Sequence, residues 1–228
     1  MQLFKLTAFT TLLFISTSCQ SNQKKAQSAL IEVPQENIVK LSQQDLSEYE
    51  TAYFASGCFW CVEAIFESVK GVKEAVSGYA GGTEENPTYQ QVGGGMTSHA
   101  EAVQVYYDPE VISFTALVQV FFGSHDPTLL NRQGPDRGPQ YRSVAFYETE
   151  DEKVIIDAYI GALTDQNVYE GAPITTEVTQ LTKFWIAEEY HQDYEKKNPK
   201  NSYITNVSIP RLNRFKENFG DYLKEEEH

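Results

Sequence analysis

Apolar residues change their spacing repeatedly along this chain, from every second position to every third or fourth and back. Tyr53-Phe54-Ala55 reads as the end of a buried strand that turns at Ser56-Gly57. Val62, Ile65, Phe66 and Val69 then recur at i, i+3, i+4 and i+7, one face of a helix that Gly71 stops. Alternation returns from Val72 to Ser77 and again from Glu101 to Tyr107, with a glycine-dominated loop from Gly78 through Gly95 between them. Ser113 caps a helix with Phe114, Leu117, Val118 and Phe121 on one face and Gly123 as its stop. The polar stretch Ser124 to Gln140 predicts a long loop that forms a site wall. Tyr141 to Tyr147 alternates as a strand, and Thr149 with Glu152 makes a capping box before a helix carrying Val154, Ile155, Ala158 and Tyr159. A strand from Ile174 to Leu181 and a helix around Glu188 to Lys197, closed by Pro199, complete the pattern. Strand-helix-strand followed by three strand-helix pairs predicts an α+β fold, a two-layer sandwich with helices packed on a mixed sheet.

The chemistry concentrates where the first strand meets the first helix. Gly57-Cys58-Phe59-Trp60-Cys61-Val62-Glu63 places two cysteines three positions apart beside two large rings. One cysteine of such a pair can attack and the other resolve, because a disulfide between them closes without large backbone movement. Cys58 falls at the helix N-terminus, where free amides and the positive dipole end favour a thiolate, so its pKa is expected to fall. Buried structural cysteines, or half of a zinc site, are the alternatives at this point. The zinc reading lacks ligands: the four histidines, His99, His125, His191 and His228, form no closely spaced pair, and no second Cys-x-x-Cys exists. Glu101 shares its strand face with Val103, Val105 and Tyr107; a carboxyl partly withdrawn from water prefers its neutral form and can donate a proton.

Composition narrows the class. With 18 basic and 32 acidic residues, a net charge of −14, the chain does not bind nucleic acid by counterion release. Aromatic residues at 13%, with 14 tyrosines, speak against disorder in the main body. Residues 1–18 carry one charge, Lys5, then Leu12-Leu13-Phe14-Ile15 in an apolar run, then Ser16-Thr17-Ser18 before Cys19. That order reads as a secretory signal peptide whose apolar part is too short to span a bilayer. It resembles a bacterial lipoprotein signal with Cys19 as the lipidated residue; a plain cleaved signal is the alternative. Residues 19–48, rich in Gln, Ser, Lys and Glu, read as a flexible tether, and 49–228 as one folded domain with an acidic C-terminal tail. The expected location is exported and periplasmic, anchored through Cys19.

Six motifs then occur in one order: Gly57-Cys58-Phe59-Trp60, Gly78-Tyr79-x-Gly81-Gly82, Asn86-Pro87-Thr88-Tyr89, His99-Ala100-Glu101, His125-Asp126-Pro127 and Gln140-Tyr141-Arg142-Ser143. Together they resemble the A-type peptide methionine sulfoxide reductases, from Tyr53 to about Pro199. The resemblance implies a ferredoxin-like plait and reduction of the S epimer of methionine sulfoxide, one enzyme serving each epimer. By the same resemblance Cys58 is the nucleophile and Glu101 the acid that protonates the sulfoxide oxygen. Tyr89 and Tyr141 are hydroxyl donors to that oxygen, Asp136 orients the polar network, and Phe59 and Trp60 form the pocket for the substrate methyl group. Many relatives carry Gly at the position of Cys61 and a resolving cysteine near the C-terminus. Residues 198–228 contain no cysteine, which makes Cys61 the candidate resolver. No metal, nucleotide or flavin motif accompanies the pattern. The implied partners are proteins or peptides with oxidised methionine and a thioredoxin-like dithiol reductant.

Overall fold

A computed structural model describes residues 46–225. The signal peptide, Cys19, nearly all of the tether and the last residues of the acidic tail lie outside the described residues.

Six strands form one mixed sheet in the order β7-β6-β1-β3-β2-β8. Its centre is built by β1 (Glu50–Ser56), α1 (Phe59–Glu67), β2 (Val72–Ala80), β3 (Ala100–Tyr107), α3 (Phe114–Gly123) and β6 (Ser143–Tyr147). Strand-helix-strand-strand-helix-strand with spatial order β6-β1-β3-β2, every neighbour antiparallel, is the split βαβ plait. Between β2 and β3 lies a short helix, α2 (Tyr89–Gly93). After α3 come a small hairpin, β4 (Arg132–Gln133) with β5 (Asp136–Arg137), and then α4 (Glu150–Asp165) follows β6. β7 (Glu177–Gln180) extends the sheet parallel to β6, and β8 (Phe184–Ile186) extends the opposite edge antiparallel to β2.

Residues 181–183 join those two outer strands, which forces the sheet to curl. Four Cα steps reach at most roughly 14 Å, whereas six flat strands would separate the edges by roughly 24 Å. The two faces are filled accordingly. On one, Phe54, Val103 and Val105 pack against Phe66, Leu117, Val118, Phe121 and Ile156 from the helices. On the other, the inside of the curl, mostly small residues meet: Ala55, Ala80, Ala100, Ala102 and Val144, with Tyr53 and Phe146. Phe54 stacks between Phe66 at 5.1 Å and Phe121 at 5.0 Å, which ties β1 to both flanking helices. β8 docks closely because residue 78 is glycine: a Cβ there would lie 2.4 Å from the Trp185 carbonyl oxygen.

Several elements differ from the sequence reading. Gly78 does not break β2, which runs to Ala80, and the glycine region holds α2, capped by Gln91, whose side chain accepts the Thr88 N–H at 2.9 Å. The expected strand Ile174 to Leu181 shrinks to Glu177–Gln180, and Tyr141 ends a 3-10 turn instead of opening β6. The expected helix Glu188 to Lys197 is a 3-10 turn, Glu189–His191, then α5 (Tyr194–Lys197), separated by Asp193 at φ 53°. Beyond it the sequence pattern gave nothing, yet a π turn, Ile204–Ser208, leads into α6 (Ile209–Asn218) with Pro210 in its first turn. No helix among the described residues is long and apolar enough to cross a membrane.

Candidate active site

Gly57 sets the entrance to α1. Its φ of +88° suits glycine, and a Cβ there would lie 2.6 Å from the Gln133 Cβ, so the β4–β5 hairpin closes directly over the turn. Cys58 follows as the N-cap residue without capping through its side chain, which leaves the thiol free for other partners. One turn on, Cys61 lies beneath it, its N–H donating to the Cys58 carbonyl at 3.1 Å. Both are buried free thiols.

Glu101, on β3, reaches the same helix end. It is 1% exposed, on the face shared with Val103, Val105 and Tyr107, and its Oε2 accepts the Phe59 N–H at 3.1 Å. Burial is the main reason its carboxyl rises to about 8; the Phe59 hydrogen bond opposes this, and the nearby Asp136 and Cys61 charges add to it. Glu101 therefore holds a proton at neutral pH in a place where a carboxylic acid can donate it.

The thiols behave otherwise than the helix dipole alone suggests. Burial, the hydrogen bond with Cys61 and the Glu101 carboxyl push the Cys58 thiol well above its ordinary value, which corrects the expected fall. A dipole end contributes a fraction of a charge, and desolvation of a buried thiolate outweighs it. Cys61 instead comes down to about 6, first because the Cys58 thiol donates to it and further because Arg211, Ser208 and Tyr203 face it. The two thiols titrate as a pair, and the hydrogen bond between them favours a protonated Cys58 beside an anionic Cys61.

Aromatic rings wall the site. Phe59 is fully buried, 5.9 Å from Tyr79 and 6.3 Å from the stacked Tyr89. Trp60 is half-buried, stacked on Tyr194 at 3.8 Å, and its Nε1–H donates to His191 Nδ1 at 3.1 Å. That bond places the His191 proton on Nε2, and the imidazole lies 4.2 Å from the Tyr89 ring. Tyr89 is held further by its N–H to Glu188 Oε1 at 2.9 Å, while Tyr79 donates to Glu188 Oε2 at 2.7 Å. Burial, then the charges of Glu101 and Cys58, raise the Tyr89 hydroxyl to about 12; burial and Glu101 raise Tyr141 as well. Both phenols stay protonated and lie within the field of the acid and the thiol.

Asp136, on β5, accepts the Tyr203 hydroxyl at 2.5 Å, and the same hydroxyl lies 3.8 Å from Cys61 Sγ. The structure thus brings together Cys58, Cys61, Glu101, Phe59, Trp60, Tyr89, Tyr141 and Asp136, residues spread over more than eighty positions of sequence. Sequence reasoning missed Tyr203, His191, Tyr194, Glu188 and Arg211, all from the segment after β8. Arg211 is buried and donates to the Ser56 carbonyl at 2.9 Å, the Ser56 hydroxyl at 3.1 Å and the Ser124 carbonyl at 2.9 Å. Its charge sits behind the cysteine turn, held by neutral oxygens. Away from the thiols, Glu63, Glu67 and Asp193 bring carboxylate oxygens within 4.8 Å of one another. Those oxygens are taken by Ser77, the Asp193 N–H and Lys196.

Comparison with known proteins gives the family of the folded part. The family described as peptide methionine sulfoxide reductase matches residues 50–223. The chain is 50% identical over 175 residues to MsrA 1 of Rhodopirellula baltica, a peptide methionine sulfoxide reductase, covering 77% of this chain and 90% of that one. Among solved structures it is similar to methionine sulfoxide reductase A of Corynebacterium diphtheriae, at 35% identity and a TM-score of 0.61, covering 68% of this chain and 77% of the other. Reduced Mxr1 of Saccharomyces cerevisiae is similar at 34% identity and a TM-score of 0.61, covering 72% and 92%.

Proposed function

The chain belongs to the A-type peptide methionine sulfoxide reductases and is an oxidoreductase, a peptide-methionine (S)-S-oxide reductase, and from that membership we propose how its own residues carry the reaction. The sulfoxide sits with its methyl group against Phe59 and Trp60 and its oxygen toward Glu101, Tyr89 and Tyr141. Sulfur becomes electrophilic as its oxygen loses negative charge, so protonation by Glu101, helped by the two phenols, precedes or accompanies attack. Cys58 attacks the sulfoxide sulfur and its proton passes to the Cys61 sulfur it already hydrogen-bonds. Oxygen ends on Cys58 as a sulfenic acid, and methionine leaves reduced. Cys61 then displaces that oxygen as water and forms the Cys58–Cys61 disulfide, which a thioredoxin-like dithiol reduces.

The observation that carries this reading is the buried, neutral Glu101 hydrogen-bonded at the N-terminus of the helix that begins with Cys58. The leader-like pattern of residues 1–18 and Cys19 supports an exported, lipid-anchored repair enzyme acting on oxidised proteins. The test is turnover of a peptide bearing L-methionine-S-sulfoxide against its R epimer, with dithiothreitol, beside Cys58→Ser. S-selective turnover that disappears in the variant is expected. No turnover by reduced, folded wild type would overturn the reading.

A further inference from the structure

Cys61 owes its ionisation first to the thiol of Cys58, and the reaction proposed above consumes that thiol. Once Cys58 is a sulfenic acid, the donor that held Cys61 as a thiolate is gone, and Cys61 has received the Cys58 proton. It must lose that proton again before it can attack, because the thiolate is the nucleophile.

Two hydroxyls face Cys61: Ser208, which donates to the Glu195 carboxylate, and Tyr203, which donates to Asp136 and is also in ring contact with Trp60 of the site wall. The second is the one we take as the acceptor. Tyr203 Oη lies 3.8 Å from Cys61 Sγ and 2.5 Å from Asp136 Oδ2. A phenol has one proton and two lone pairs. With that proton committed to the Asp136 carboxylate, the Tyr203 oxygen accepts from the Cys61 thiol. Reversing both hydrogen bonds puts a proton on Asp136 and turns the Tyr203 proton toward a Cys61 thiolate. The two arrangements differ by one proton passed from sulfur to carboxylate through the phenol.

Resting on the reductase reading, we propose that Tyr203 relays the Cys61 proton to Asp136 as Cys61 attacks the sulfenic acid. Tyr203, in contact with the reacting sulfur, is catalytic in this step; Asp136 acts through it as a positioning residue. The Cys61 sulfur forms a bond to the Cys58 sulfur while the Cys58 sulfur–oxygen bond breaks. The hydroxide released takes up the proton parked on Asp136 and departs as water. Cys61 is oxidised and the sulfenic Cys58 is reduced to the disulfide level, with no further reactant. The groups facing the relay are few. Cys58, Ser208 and Arg211 face Cys61, whose charge also reaches Glu101, and Arg211 and Glu101 face Asp136. Arg211 offsets the anionic charge at both ends of the chain. Trp60 fixes the phenol ring from the side, edge-on at 5.9 Å and 75°.

The experiment is a single turnover of the full chain without reductant, quenched in time. Methionine release from an S-sulfoxide peptide is followed beside disulfide closure, with dimedone trapping whatever sulfenic acid accumulates on Cys58. In Tyr203→Phe, closure is expected to slow by about a hundredfold relative to methionine release, the low end of what a positioned acid–base group contributes. The trapped adduct grows accordingly. Closure in that variant should rise in proportion to hydroxide, since solvent then removes the Cys61 proton, whereas wild type stays flatter; a rate that stays flat through the Ser208 hydroxyl and Glu195 would overturn the assignment to Tyr203. Asp136→Asn keeps a hydrogen bond to the phenol but accepts no proton, so it should show the same slow, hydroxide-dependent closure, and Asp136→Glu should restore part of the rate.

Closure in either variant at the wild-type rate, or slowing that is equal at every pH, overturns the relay while leaving the reductase reading intact. Absence of methionine release from the wild type overturns both.

Discussion

Glu101 and Glu63 are equally buried, at 1% and 2% exposure, and both touch α1, yet their surroundings make them different kinds of group. Glu63 has a donor at each oxygen: the Ser77 hydroxyl at 2.8 Å and the Asp193 N–H at 2.7 Å. Glu101, among the described residues, takes one hydrogen bond, from the Phe59 N–H, and its remaining capacity adjoins the thiols and the phenols. Burial is the leading cause that raises both carboxyls. What separates a reactive acid from a structural one here is therefore how far its hydrogen-bonding capacity is already used. A saturated carboxyl ties elements together, in this case α1, β2 and the start of α5. An unsaturated one keeps a proton for a substrate.

The sharpest way to break this contrast is Glu101→Gln. The amide oxygen still accepts the Phe59 N–H, so the fold should persist while methionine formation from the S-sulfoxide falls about 10²–10⁴-fold. In the wild type that rate should decline as pH rises through about 8, where the acid form is lost, and the decline should vanish in the variant. Stability carries the same signature. A folded value of about 8 against an ordinary 4.5 means the contribution of neutral Glu101 is complete below about 4.5 and is lost as pH rises toward 8. Chemical unfolding across that window should show a shallower fall in Glu101→Gln. A variant with unchanged rate and pH profile would place the acid elsewhere.

The complementary change, Glu63→Leu, keeps bulk and removes the acceptors. Ser77 Oγ, a buried donor, loses its partner at a cost of about 1–3 kcal/mol, and the half-buried Asp193 N–H loses its partner at a smaller cost. Urea unfolding should register that loss, while turnover per folded molecule stays at the wild-type level. Lost turnover with unchanged stability would reverse the assignment of the two glutamates.

The two regions also differ in how much of them can be read along the chain. Cys58 and Cys61 are one helical turn apart, and Glu101 betrays itself by sharing the apolar face of β3, so short-range pattern exposes the reactive side. The α+β sandwich was legible for the same reason, since α1, β3 and α3 each carry a clean period, while the plait itself followed only from the family resemblance. What completes the site arrives from the segment after β8, where Asp193 in the left-handed region cuts a helical pattern short and α5 is only four residues long. Trp60 and His191 are 131 positions apart, Cys61 and Tyr203 142, and Ser56 and Arg211 155. Local propensity carries no information about such pairings. Smaller signals were present: Thr88 with Gln91 as a capping box marks α2, and Pro210 in a first turn marks α6. β8 went unread in the sequence because Phe184-Trp185-Ile186 is too short to show alternation; only the curl of the sheet and the glycine at 78 give it a partner.

The smallest effect is expected at the outer rim of the saturated cluster. Lys196 reaches Glu67 at 2.8 Å and Asp193 at 3.2 Å, but its side chain is 55% exposed. Glu67 lies at about 7, raised by burial first, with Lys196 acting in the opposite direction. Removing the ammonium in Lys196→Met therefore lets the Glu67 carboxyl rise further. The stability tied to its neutral form extends to higher pH, while the ion pair that helped the carboxylate is lost. These changes partly offset each other, and water and salt screen the exposed partner, so the loss near neutral pH should be within about 1 kcal/mol and shrink as ionic strength increases. Equilibrium unfolding at low and high salt checks this. A larger, salt-insensitive loss would mean that Lys196 is an integral member of the network that holds Glu63, and the contrast between the two glutamates would then rest on charge pairing as well as on hydrogen-bond saturation.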